Sequence, residues 1–122
     1  MRTEKINIAE KFGKLRPGDY AMGILAKMNN YEIKVVRFKG DFVWHSHANT
    51  DETFIIVEGT MVMNFRDKVV AVNAGEMIVI PKGVEHKPSS AVGYKALLIE
   101  PEGVSNTGGV QSKMAIPTVE WV

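Results

Sequence analysis

Short runs of β-branched and apolar residues succeed one another along most of this chain, each ended by a turn-forming cluster, and that rhythm leaves little room for helices. Residues 20–28 and 31–38 read as strands separated by Asn29-Asn30, a pair that tolerates the positive φ of a tight hairpin turn. The second run alternates apolar and polar side chains for most of its length, as a half-buried strand does. Further strands are expected at 53–57, 60–65, 69–72, 77–80 and 94–99, with turns at Gly59, 66–68, 73–75, 81–83 and 89–93. One short helical turn fits 6–13 before Pro17-Gly18 breaks it. Evenly spaced strands without a βαβ unit predict an all-β sandwich or barrel.

On this scaffold the histidines are placed with economy. His45, His47 and His86 are the three in the chain, and each lies within a short Gly-bounded segment. The first runs from Gly40 through Phe42-Val43-Trp44-His45-Ser46-His47 to Glu52 and Gly59; the second runs from Gly75 through Pro81-Lys82-Gly83 to His86. Residues i and i+2 of an extended chain point to one face, so His45 and His47 project side by side with Cα atoms ~6.5–7 Å apart. Residues 48–51 have a turn composition, which puts Glu52 at the start of a returning strand and within reach of the same point. A lone His-x-His pair is more often the polar face of an edge strand, and a lone loop histidine is more often structural. Three histidines and a carboxylate brought together make a metal site, with nitrogens ~2.0–2.1 Å from one ion. Asp51 is the chemically similar rival of Glu52, but it has the opposite strand parity and reads as a solvated turn residue.

The two segments resemble the paired motifs of the cupin superfamily, and Glu52 stands where that pattern has its glutamate. There are two departures. The spacing between Gly40 and His45 is one residue short, and Ser90 stands where asparagine is usual. The resemblance implies a double-stranded β-helix, the jelly-roll cupin barrel, with His45, His47, Glu52 and His86 as ligands and commonly a homodimer formed by exchange of N-terminal strands. The short interval between Gly59 and Gly75 is similar to that of small single-domain microbial cupins of the mannose-6-phosphate isomerase-like kind. One cupin domain is expected over 1–122, with metal motifs within 40–90, N-terminal strands at 20–38 and an irregular tail at 101–122, whose end could add an edge strand or pack Trp121 on a partner.

Composition narrows the chemistry. Cysteine is absent, so any metal is held by nitrogen and oxygen, which leaves Fe, Mn, Ni, Co, Cu and Zn open as a divalent ion. With 15 basic and 14 acidic side chains, the net charge of +1 argues against a nucleic-acid track or an anionic membrane surface. No apolar stretch approaches the roughly 20 residues needed to cross a bilayer, and Met1-Arg2-Thr3-Glu4-Lys5 lacks a signal-peptide core, so a cytoplasmic location is expected.

The expected function is a metal-dependent enzyme of isomerase or lyase type acting on a small sugar-like or carbonyl/enediol substrate, with Glu52 as ligand and candidate general base. The alternatives are a metal-dependent dioxygenase and a non-catalytic sugar- or metabolite-binding cupin. Val43, Phe54, Ile56, Met61, Met63 and Phe65 are candidate pocket walls, although barrel core is the commoner role of such residues; Trp44 should face outward. Tyr94, Arg37 and Lys34 are candidates for holding a carboxylate or phosphate, each by default a strand-face residue.

Overall fold

A computed structural model describes residues 3–122. Helix α1 (Ile8–Phe12) is a little over one turn, capped by the Asn7 side chain accepting from the Glu10 N–H at 3.0 Å. The strands are β1 (Tyr20–Met28), β2 (Tyr31–Asp41), β3 (Glu52–Phe65), β4 (Val69–Asn73), β5 (Met77–Ile80) and β6 (His86–Pro101). They pair antiparallel in the order β1-β2-β6-β3-β4, with β5 also on β3, and curl into the expected jelly roll. The hairpin between β1 and β2 turns on Asn29 at φ 55°. No helix among the described residues is long and apolar enough to cross a membrane.

Two expected turns are not turns. Gly59 and residues 89–93 lie inside β3 and β6, which are continuous strands with register shifts on either side of Gly59. The glycines are bends shared between neighbours: Gly59 (φ 77°) pairs with Tyr94, beside Gly93 (φ 93°). Each long strand can therefore serve both halves of the barrel. β3 carries β5 along Glu52–Ile55 and β4 along Thr60–Asn64. Here a Cβ is doubly unwelcome, because the backbone is left-handed and the atom would collide with the Gly93 carbonyl oxygen. Gly59→Ala is expected to cost about 2 kcal/mol or more, read as a lower urea midpoint; an unchanged midpoint would show that the paired bend is not needed.

Nor is β2 half-buried as its alternation suggests. Val36 and Phe38 join Phe54, Ile56, Met61, Met63, Tyr94 and Leu98 in the barrel interior, while Val35 packs outside with Phe12, Leu15, Ala21 and Leu25. The outer face is covered by α1 and by the chain end, where Val122 packs and Trp121 bridges to Ile24. Both faces are thus covered, and Glu32 and Lys34, which share parity with Val36, are buried with it. Lys34 Nζ lies 2.9 Å from Glu100 and 3.5 Å from Glu32.

Candidate metal centre

The segment carrying His45 and His47 forms no strand; it lies along the start of β6 through a single antiparallel bridge. His45 N–H donates to the His86 carbonyl at 3.0 Å, and His86 N–H returns the bond to His45 at 2.9 Å. Two residues on, the His47 carbonyl accepts from Gly83 N–H at 2.8 Å, within the turn that delivers His86. The extended geometry expected at 45–47 holds in this form, and the two rings lie 5.1 Å apart. Glu52 opens β3 opposite Ile80 with its side chain turned inward.

His45, His47, Glu52 and His86 converge, each offering one atom within 4.8 Å of the others. All four are buried, with 0–6% exposure. A shared ion at ~2.0–2.1 Å from each donor limits opposed ligands to about 4.2 Å apart, so closing onto one needs only a few tenths of an ångström per side chain. Asp51, the rival carboxylate, is exposed and accepts the Lys82 N–H at 2.9 Å, as a turn residue would.

The donor chemistry fits a cation closely. His45 and His86 each place Nδ1 against the carbonyl two residues back, Val43 at 2.8 Å and Val84 at 2.9 Å. A carbonyl only accepts, so both Nδ1 atoms carry hydrogen and a neutral ring presents its Nε2 lone pair to the centre. For His86 that lone pair faces Glu52 Oε1 at 3.1 Å, acceptor against acceptor. Only a proton or a cation between them makes the contact favourable. His47 Nε2 lies 3.2 Å from Glu52 Oε2 yet has no hydrogen-bond partner, an expensive state for a buried nitrogen.

Burial would raise the Glu52 carboxyl, but the His47 and His86 imidazoles on its two oxygens outweigh that and hold it well below the usual range. His47 is likewise pulled down by burial but raised on balance by the Glu52 carboxylate beside it. Burial pushes His45 down to about 4, with the neighbouring His86 adding to the effect and the Val43 carbonyl opposing it. At neutral pH, His45 is therefore already in its ligating form. Between pH 6.5 and 4 the unfolded chain protonates this residue and the folded one does not, so its contribution to stability falls as pH falls. Metal-free protein should lose on the order of 3 kcal/mol relative to His45→Asn across that window, measured by urea unfolding of both proteins at each pH; a constant difference would refute the assignment.

Beside the cluster is a cavity of about 30 Å³ whose walls include Tyr20, Met22, Phe42, Phe54, Tyr94 and Asn106. Of the expected wall residues only Phe54 reaches it, joined by Tyr94, a candidate for holding a carboxylate or phosphate. Ile56, Met61 and Met63 are barrel core, and Val43 contributes its carbonyl to His45. Trp44 lies under the Arg66 guanidinium, 3.9 Å from the ring centroid. Arg37 is spent on the Arg16 and Gly18 carbonyls, and Lys34 on Glu100 and Glu32. Tyr20 and Asn106 were not legible as site residues: one opens an edge strand, the other belongs to the irregular tail.

A cupin-domain family model matches residues 35–99. The YdbB protein of Bacillus subtilis is 35% identical over 77 residues, covering 62% of this chain and 68% of its own. Among solved structures, a cupin-2 domain containing protein from Shewanella frigidimarina is 47% identical with a TM-score of 0.76, covering 80% of this chain and 94% of that one. A Neisseria meningitidis protein is 30% identical with a TM-score of 0.70, covering 81% and 100%.

Proposed function

The chain belongs to the cupin superfamily, and from that premise we propose that it is a metal-dependent enzyme acting on a small oxygenated substrate, of sugar-like or carbonyl/enediol type, by isomerisation or elimination. The observation that carries the metal half is the Glu52 carboxylate facing the His86 Nε2 lone pair in a buried site. His45, His47, Glu52 and His86 would hold the ion. Bound there, a divalent cation supplies Lewis acidity towards an oxygen of the substrate.

The chain's own groups set the rest. The Val43 and Val84 carbonyls fix the ring orientation of His45 and His86. Glu52 has an imidazole nitrogen 3.1–3.2 Å from each oxygen and a depressed proton affinity, which suits a ligand better than a general base. Phe42, Phe54 and Tyr94 give the cavity apolar walls, while Tyr20 and Asn106 supply polar contacts. A dioxygenase is the second reading, favoured by how small and apolar that cavity is.

The test begins with metal analysis of tag-free protein after reconstitution with Fe, Mn, Ni, Co, Cu or Zn. One equivalent per chain is expected, and failure of all six to bind would overturn the proposal. Substrate-dependent O2 uptake by anaerobically iron-loaded protein would instead select the dioxygenase. Tight binding of a sugar or related metabolite without turnover would select the non-catalytic alternative.

A further inference from the structure

Residues 103–119 form a long connection without regular structure, of the kind that in compact domains is usually a lid or binding loop. Both ends are tied to the β1–β2 hairpin. Glu102 N–H donates to Asn30 and its carboxylate pairs with Lys27 at 3.0 Å; at the far end Ile24 exchanges backbone bonds with Glu120 and Val122. Between these anchors the strap crosses the metal centre. Gly108 packs so tightly on the Ser46 backbone, between His45 and His47, that a Cβ would collide with the Ser46 carbonyl oxygen. Thr107 is buried, and Met114 packs against the barrel interior.

Asn106 organises this strap. Its amide nitrogen donates to the Met114 carbonyl at 2.7 Å and to the Tyr20 hydroxyl at 2.9 Å, while its amide oxygen accepts from Ile116 N–H at 2.9 Å. The Tyr20 bond ties the strap to β1 soon after its Glu102 anchor. Tyr20 and Met22 form the wall between two spaces: the cavity of about 30 Å³ at the metal centre, and an open groove of about 920 Å³ under residues 113–118 and the loop before β1. The inner space holds roughly two water-sized occupants. Any organic substrate therefore needs more room than the closed form provides, and the groove is where that room lies.

We propose that the strap is a gate, the groove its vestibule, and the Asn106–Tyr20 hydrogen bond the clasp that holds it shut. Opening joins the two spaces and exchanges the partner of the Tyr20 hydroxyl, from the Asn106 amide to a polar atom of the incoming ligand. Tyr20 is then a positioning residue whose hydroxyl selects ligands carrying oxygen at that point. The proposal rests on the metal reading only for what the gate guards; the closure itself is a property of the chain.

The test uses metal-free protein and diethyl pyrocarbonate, which acylates imidazole nitrogens that it can reach, with sites located by mass spectrometry. Asn106→Ala and Tyr20→Phe break the clasp from opposite sides. Tyr20→Phe removes one buried hydrogen bond and should raise the acylation rate of His45, His47 and His86 roughly tenfold; Asn106→Ala also removes the bonds to Met114 and Ile116 and should raise it at least as far. Hydrogen exchange followed in parallel should show lost protection in the strap with β3 and β6 unchanged. Histidine rates equal to wild type in both variants would overturn the gate, as would equal loss of protection in strap and barrel, since the strap would then not open separately. Metal stoichiometry is measured independently: fast acylation in protein that binds no metal would sink the metal reading and leave the gate standing.

Discussion

His47→Ala is expected to abolish stoichiometric metal while leaving a folded barrel. The His47 imidazole is one of four converging donors, and its Nε2 has no hydrogen bond to lose in the metal-free protein. Removing it leaves three donors, with Glu52 still facing His86 at 3.1 Å. The interior packing of Phe38, Ile56, Met61 and Met63 does not depend on this side chain. Stability of the metal-free variant should stay within about 2 kcal/mol of wild type, because the lost packing and the lost Glu52 contact are partly offset by relief of a buried nitrogen without a hydrogen bond. Elemental analysis after dialysis against equimolar metal, with circular dichroism of the same sample, decides it. Metal retained at one equivalent would remove His47 from the ligand set.

The second large effect lies away from the ligands. Lys34→Met should destabilise the protein, by about 3–5 kcal/mol at the alkaline pH where both carboxylates are charged, because Glu32 and Glu100 would remain buried without their cation. Burial, and then the charge of Glu52, pushes Glu100 up to about 8, with Lys34 opposing both. A carboxyl raised in the folded state costs stability progressively as pH rises from about 4.5. Without Lys34 the folded-state value climbs further. The Glu100 part of the variant's penalty should accordingly be flat below about pH 8, where Glu100 is protonated in both folded proteins, and grow above it. Lys34→Met combined with Glu100→Leu should recover much of the loss, since a buried pair exchanged for apolar groups of similar volume is often near neutral. Urea midpoints of the three proteins at several pH values test this, and a pH-independent loss below about 1 kcal/mol would contradict it.

Which parts of this were readable in the chain follows from the range over which each is decided. Strands β1, β4 and β5 fall close to where β-branched runs and turn clusters put them, because pleat and turn chemistry act over a few residues. The ligand candidates were readable for the same reason: His45 and His47 share a face by local extension, and Glu52 follows one turn later. Gly59 and residues 89–93 misled because a glycine that reverses a chain and one that bends a strand carry the same local signal. Their pairing across β3 and β6 tells them apart, and that pairing joins residues about thirty positions distant.

The sequence by itself determined an all-β sandwich or barrel and the identity of four candidate metal donors, since strand propensity, turn chemistry and residue spacing are short-range properties written into neighbouring side chains; the narrowing to a cupin barrel came from the resemblance of its two motifs. Tertiary structure alone decided that the His86 Nε2 faces a carboxylate, that Lys34 and Glu100 are sealed inside, and that Asn106 meets Tyr20 at the cavity wall. Each of these is a meeting of groups 34, 66 and 86 positions apart. Burial and hydrogen-bond partnership at that range depend on how the sheet curls and where the tail lies, which no local pattern of residues encodes.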